Sequence, residues 1–328
     1  MIKNILITGG AGYIGSHISE ILIKDKKKVF IVDNLSTGYK KLVSKKVKFY
    51  KADIKDKKKI NYIIKKNNID TVVHLAASLV ISEGEKNPNL YYKNNVIGTK
   101  KLLEACQKTN IKNFIFSSTA AVYRDGFKTV SEYSNIKPKS VYGKTKLRAE
   151  KLIIKYCSKK KINYGILRYF NIVGASPSGK IGLINKGDHL FKNFSEQILR
   201  KNPILKIYGN KYKTKDGTCI RDFIHVSDIA EIHIKVLEKI NNSNKSKILN
   251  CGYGIGFSVK QIANEFLKYT EKNIKVIYSS NRKGDLIKIV SSNRNLKKFI
   301  NWKPKFNNLK TMVQSSIKWE KKINKSYK

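Results

Sequence analysis

Short apolar runs alternate with longer stretches of helical period along this chain. The runs of strand length fall at 5–7, 29–32, 47–50, 71–75, 113–117 and 164–169. Between them, apolar positions recur with helical spacing over 14–24, 56–66, 90–109 and 141–159, and each stretch breaks before the next strand. Strands that alternate with helices make a parallel sheet flanked by helices, so six such units predict an α/β fold with a doubly wound, Rossmann-like parallel sheet.

After Asn171 the rhythm changes. Gly174-Ala-Ser-Pro-Ser-Gly179 and the residues up to Gly187 form a turn-rich connection with little periodicity. Shorter elements follow at 206–208, 227–238, 247–250, 259–269, 275–278, 287–290 and 309–318. The expected division is a first unit over residues 1–172 and a second, smaller mixed α/β unit over 173–328. Segments near 221–252, above all 247–250, are candidates to rejoin the first sheet.

The length of 328 residues with 41% hydrophobic content suffices for a large core. The formal charge of +45 first suggests a polyanion partner, because phosphates dominate such affinities. Its distribution argues otherwise. Only seven of the 68 basic residues are arginine, and the lysines are spread from Lys3 to Lys328 with no basic tail. Surfaces that grip phosphate favour the guanidinium fork, so the charge reads as a solvated surface with no specific nucleic-acid site. Four cysteines, at 106, 157, 219 and 251, show no spacing suited to zinc and read as reduced core thiols. No metal site is expected. No apolar run has the length of a signal peptide or membrane span, and the expected location is the cytoplasm.

Candidate chemistry begins at the first strand. Thr8-Gly9-Gly10-Ala11-Gly12-Tyr13-Ile14-Gly15 places glycines 9, 12 and 15 between that strand and the first helix. A pyrophosphate can approach bare backbone N–H groups there, at the positive end of a helix. The second strand ends in Asp33, where a carboxylate accepts hydrogen bonds from ribose hydroxyls and repels a 2′-phosphate, favouring NAD over NADP. Asp53, followed by Ile54, falls at the end of the third strand, where it either borders an adenine site or caps the next helix. Tyr142 and Lys146, four residues apart, share one helix face. A free phenol, with a pKa of about 10, is a poor base near neutrality, and a neighbouring cation brings its phenolate within range. The fifth strand ends in Ser117-Ser118-Thr119, at the edge where ligands of such sheets bind.

With these stretches go His74-Leu-Ala-Ala77, Tyr91-Tyr-Lys-Asn-Asn-Val96, Leu167-Arg-Tyr-Phe-Asn171, Asp216-Gly-Thr218, Arg221-Asp222 and Arg282-Lys-Gly-Asp285, in order over nearly the whole chain. Together they resemble the extended short-chain dehydrogenase/reductase family, and within it the enzymes that epimerise UDP-hexoses at C4. The resemblance implies that Tyr142 is the base, that Lys146 holds the nicotinamide ribose and tunes Tyr142, and that Thr119 hydrogen-bonds the reacting hydroxyl. It assigns NAD to Gly9, Gly12, Tyr13, Ile14, Gly15, Asp33, Asn34, Asp53, Ile54, Asn95 and Lys146, and the UDP-sugar to Thr119, Tyr142, Asn171, Arg221, Arg282 and Asp285. It also implies a homodimer paired through the helices at 90–109 and 141–159.

Departures limit the transfer. Leu79 stands where many relatives carry a lysine against the cofactor, and His189 and Phe223 occupy positions that are often Asn and Tyr beside the uridine. Ile289 falls where relatives confined to plain hexoses carry a bulky Tyr. A related dehydratase or decarboxylase needs an acid after the Ser/Thr, where this chain has Ala120-Ala121. A non-catalytic NAD or polyanion binder would have no need of Thr119, Tyr142 and Lys146 together.

Overall fold

The computed structural model describes residues 2–124, 129–185, 187, 189–281 and 286–326. Its strands, in chain order, are β1 (Asn4–Thr8), β2 (Lys28–Asp33), β3 (Lys48–Lys51), β4 (Thr71–His74), β5 (Asn113–Thr119), β6 (Thr129–Val130), β7 (Asn163–Tyr169), β8 (Asn171–Val173), β9 (Ile204–Tyr208), β10 (Ile220–His225), β11 (Lys247–Cys251), β12 (Gly256–Ser258), β13 (Lys275–Ser279) and β14 (Lys288–Ser291). Seven of them form one sheet in the order β11-β7-β5-β4-β1-β2-β3. Every pair in it is parallel. The chain runs outward from β1 through β2 to β3, then returns to β4 on the other side of β1. That reversal opens a crevice at the carboxyl ends of β1 and β4.

Alternation along the strands feeds two apolar layers. Ile5, Ile7, Ile31, Val73 and Ile115 face a layer closed by Ile18 and Leu22 of the helix Tyr13–Lys24 and by Ile229, Ile232 and Val236 of the helix Val226–Ser243. Leu6, Val32, Val72, Phe114, Phe116 and Ile166 face the opposite layer, closed by Ile60, Ile63, Leu102, Leu103 and Ile153. Burial on both faces explains why these strands read as near-continuous apolar runs.

The seventh strand of this sheet is β11, which leaves the second half of the chain to pair with β7 from Lys247↔Gly165 to Cys251↔Tyr169. The remaining strands build two small sheets. One has the order β12-β10-β14-β6 with β8 beside β10, and the other joins β9 and β13. The helix expected over 90–109 is helical from Pro88 to Ala105, with a π-helical stretch at Tyr92–Ile97. Past Cys106 the chain turns through Lys108 in the left-handed region, φ 53°. The last helix, expected over 309–318, runs Leu309–Ser326. No described helix is long and apolar enough to cross a membrane.

Four histidines are buried: His17, His74, His225 and His233. His74 accepts the Thr8 hydroxyl at Nδ1 (2.7 Å) and gives its Nε2 proton to Thr99 Oγ1 (2.9 Å), which itself donates to the Asn95 carbonyl. His233 donates from Nδ1 to the Ile229 carbonyl and accepts the Tyr169 hydroxyl at Nε2. Both are thereby neutral imidazoles. Burial lowers His74 and His225 from 6.5 to about 3, and His17 and His233 to about 4. The unfolded chain therefore takes up protons at pH 6.5 while the fold resists them, so stability is full above pH 6.5 and drains away as pH falls toward 4. Each histidine forfeits roughly 2 kcal/mol at pH 5. Thermal unfolding followed by circular dichroism between pH 7.5 and 5 is expected to show a drop in Tm on the order of 10 °C. A Tm that holds level to pH 5 would contradict this account of the histidines.

Candidate active site

The glycine loop is shaped by contacts that no side chain survives. Gly9 has φ +72°, and a Cβ on it would stand 2.7 Å from the Ala76 nitrogen. A Cβ on Gly15 would stand 2.6 Å from both Gly10 Cα and the Gly9 oxygen. The loop is thereby pressed against β4 on one side and folded on itself on the other. The helix Tyr13–Lys24 that follows has Gly12 as its N-cap, with no side chain capping it and no acidic residue in its first turn. Its leading N–H groups are the anion-binding end of a helix dipole. Tyr13 and Ile14 offer only backbone here, because the Tyr13 hydroxyl is spent on the Gly174 carbonyl (2.5 Å).

Asp33 closes β2 as a buried carboxylate. Its oxygens accept from Ala11 N (3.0 Å) and Leu35 N (2.8 Å), which ties the second strand to the glycine loop. Burial raises its pKa and these two bonds oppose the rise. Asp53 accepts from Asn34 Nδ2 (3.1 Å), Lys55 N (2.8 Å) and Lys55 Nζ (3.3 Å). The N-cap of the next helix is Asp56, which accepts from Lys59 N, so the capping alternative for Asp53 is set aside. Ile54 is buried, and a Cβ on Gly98 would meet it at 2.8 Å. Asn95 lies behind this surface: it bridges Ser78, through both backbone groups, to Thr145 Oγ1 on the helix Val141–Lys160. Leu79, next in the chain, is 52% exposed.

These features fit NAD on the structure's own terms. A bare backbone cradle, an unfilled helix N-terminus and a buried carboxylate at the next strand end are what a pyrophosphate and a diol-bearing ribose require.

Thr119, Tyr142 and Lys146 converge at the same edge. Thr119 ends β5, its hydroxyl accepts from Ala121 N (3.1 Å), and it hydrogen-bonds the Tyr142 phenol. The helix Val141–Lys160 starts beside it because Ser140 caps Gly143 N and because a Cβ on Gly143 would collide with the Ala121 oxygen at 2.4 Å. Lys146 is 1% exposed, and its Nζ stands 4.2 Å from the centre of the Phe116 ring. Burial lowers its pKa to about 7, while Glu150, one turn further on, pulls upward. Burial also pushes Tyr142 up to about 12, with Thr119 pulling it down. Of these two influences on the phenol, burial is the larger.

The substrate-side residues are less gathered. Asn171 is exposed at the start of β8, and Arg221 is half-buried on β10, donating to the Ile220 carbonyl (2.9 Å). Asp222 fixes that strand by accepting from Tyr253 N, Gly254 N, Ser291 N and Ser291 Oγ. Arg282 and Asp285 lie outside the described residues. Phe223 is 2% exposed and packs on Phe191 within the core. His189 is exposed ahead of the helix Leu190–Leu199. Spacing alone assigned no role to Glu150 and Arg168, which the fold buries beside the site. The available signal was Glu150 in phase with Tyr142 and Lys146.

Residues 5–252 match the family described as the NAD dependent epimerase/dehydratase family. The chain belongs to that family. Among its relatives, a UDP-glucose 4-epimerase of Halalkalibacterium halodurans is 38% identical over 97% of this chain and 95% of its own length. A UDP-glucose 4-epimerase structure from Stenotrophomonas maltophila, with bound NAD and formylated UDP-arabinopyranose, superposes with a TM-score of 0.94 at 31% identity, covering 99% of both chains. The UDP-Glc/GlcNAc 4-epimerase of Campylobacter jejuni is 36% identical with a TM-score of 0.85, covering 98% of this chain and 99% of its own. As the family's description states, the protein is NAD-dependent.

In this epimerase/dehydratase fold the crowding at Gly15 leads to a direct expectation. Gly15→Ala forces the loop apart and lowers NAD affinity by about tenfold or more, since a displaced pyrophosphate loses charge-assisted backbone bonds. Nucleotide released on denaturing the purified variant, set against wild type, measures it; equal cofactor content would disprove the role of the cradle.

Proposed function

We propose that this chain interconverts the C4 epimers of a UDP-hexose, UDP-glucose and UDP-galactose foremost. The observation that carries the reading is the meeting of Thr119, Tyr142 and Lys146 at the sheet edge that also bears the bare glycine loop and Asp33. Residues 1–172 serve the cofactor, with β11 added to their sheet, and residues 173–328 serve the nucleotide sugar. Gly9, Gly12 and Gly15, with the backbone of Tyr13 and Ile14, face the pyrophosphate. Asp33 and Asn34 take the adenosine ribose, Asp53 and Ile54 border the adenine, and Asn95 braces the loop at Ser78. Bound NAD supplies the reversible oxidation at C4.

Tyr142 removes the proton from the C4 hydroxyl while Thr119 holds that oxygen, and Lys146 provides positive charge beside the phenolate. The 4-keto sugar then turns over about its diphosphate link, anchored by Asn171, Arg221, Arg282 and Asp285, so that hydride would return to C4 on the opposite face while Tyr142 returns the proton to the C4 oxygen. Ala120 and Ala121 follow Thr119 with no acid to expel water, which argues against a dehydratase. The exposed Leu90 and Tyr92 and the Arg148 guanidinium 5.3 Å over the Tyr92 ring support pairing of two copies through this helical face.

Purified protein given UDP-galactose without added NAD is expected to form UDP-glucose, read by NMR of the anomeric proton. Tyr142→Phe is expected to lower kcat by on the order of 10² to 10⁴ while bound cofactor stays at its wild-type level. Retained turnover in that variant would reassign the base, and a dehydrated product would replace the epimerase reading.

N-acetylated UDP-hexoses enter the same site. Ile289 pairs across from Arg221 and packs with Ala120, Val122 and Phe170, so it offers a branched aliphatic wall of less bulk than an aromatic ring. Ile289→Tyr is expected to depress kcat/KM for UDP-GlcNAc well below that for UDP-glucose. An unchanged ratio, or a wild type that ignores UDP-GlcNAc, defeats this extension.

A further inference from the structure

Beneath the catalytic edge lies a buried ion pair that the reaction just described does not use. Arg168 on β7 donates from Nε to Glu150 Oε1 (3.0 Å) and from an Nη to Oε2 (2.7 Å), and both side chains are 2% exposed. The Ser118 hydroxyl donates to the same carboxylate, and the other Nη of Arg168 reaches the Tyr123 hydroxyl (3.0 Å). Tyr123 in turn donates to Asn250 Oδ1 on β11 (2.6 Å). Three attachments make the pair a junction. Ser118 precedes Thr119, Arg168 precedes Tyr169, and Glu150 shares a helix with Tyr142 and Lys146.

Tyr142, Lys146 and Glu150 are spaced i, i+4 and i+8, a column on one helix face about 12 Å long. One proton held between the phenol and the amine can rest either on the nitrogen, leaving phenolate, or on the oxygen, leaving neutral amine. Only the first arrangement carries a base. Burial disfavours it at both positions. What favours it is a negative charge near the lysine and further from the tyrosine. Glu150 stands one turn from Lys146 and two from Tyr142. Arg168 neutralises it overall but sits on another strand, gripping the carboxylate from the sheet. His74 also faces Lys146 and is neutral, and Tyr169 faces Tyr142 with its hydroxyl spent on His233.

Buried pairs of this kind seldom contribute more to stability than apolar residues of the same volume. We propose that Glu150, clamped by Arg168 and Ser118, is a positioning residue that keeps the shared proton on Lys146 and so sustains Tyr142 as base. This rests on the epimerase reading for its consequence and on the geometry of the column for its cause.

Wild type, Glu150→Gln, Glu150→Asp and Glu150→Gln/Arg168→Met decide it. The double variant leaves no unpaired buried cation should the single one fail to fold. With lysine Cε labelled by ¹³C, Lys146 is the resonance that titrates near neutrality and vanishes in Lys146→Met. In each folded variant lacking the carboxylate, that titration is expected to move down by about half a pH unit or more. Above pH 7, kcat is expected to fall by about threefold or more, with KM for UDP-glucose within about twofold, because half a unit shifts the protonation ratio threefold. Glu150→Asp restores both. A folded variant whose lysine titration overlays wild type overturns the proposal, whether or not its kcat falls, since a general loss marks a structural role alone. A moved titration in a wild-type background that does not epimerise UDP-hexoses would fault the epimerase reading and uphold the pair's hold on Lys146.

Discussion

All seven strands of the main sheet run in one direction, so their carboxyl ends share one edge, and the glycine loop, Asp33 and Thr119 are placed there. Thr8 and Gly9 end β1, Asp33 ends β2, His74 ends β4, Thr119 ends β5 and Tyr169 ends β7. A parallel sheet cannot avoid this, because each crossover helix carries the chain back to begin the next strand on the far side. The crevice between β1 and β4 then follows from the reversal of strand order. The bonds from β2 to the glycine loop, through Asp33 and Ala11, and from β4 to β1, through His74 and Thr8, lock that edge in place.

Burial is the price this edge sets on its own chemistry. The described residues include two buried lysines, and they are solved differently. Lys192 has Glu320 at 2.6 Å and Glu196 at 3.1 Å, a locally compensated charge that joins the helix Leu190–Leu199 to the last helix. Lys146 lies over the Phe116 ring, with its nearest helical carboxylate engaged by Arg168. The first lysine is held for structure. The second is left with its pKa lowered by burial to about 7, the kind of shift that marks functional sites.

Against these few interior charges the surplus of +45 is almost wholly a surface matter. Where acids are present they pair at helical spacing, as Lys235 does with Glu231 and Lys268 with Glu265. Pairs of that kind contribute little, and salt screens them. The scarce arginines are placed more selectively: Arg168 in the buried junction, Arg148 over Tyr92, Arg221 beside Asp222 on β10.

The sequence by itself determined the strands and most helices of the main sheet, the glycine loop, Asp33, and the Tyr142–Lys146 spacing. All of these are local: hydrophobic period, the crowding that demands glycine, and the helical turn act between residues near in the chain. Only the tertiary structure decided what depends on distant neighbours. Lys247–Cys251, which the chain's pattern offered as a candidate to rejoin the first sheet, takes β7 as its partner across some eighty residues. Phe223, at a position that the resemblance places beside the uridine, packs on Phe191. Asp53 is engaged by Asn34 and Lys55 while Asp56 takes the helix cap. Glu150 and Arg168, eighteen residues apart in the chain, become a buried pair because helix and strand bring them together where water is excluded. The pKa of Tyr142 illustrates the division best. The spacing to Lys146 is written in the chain, yet the balance between that cation and desolvation is set by everything packed around the phenol, which no local pattern contains.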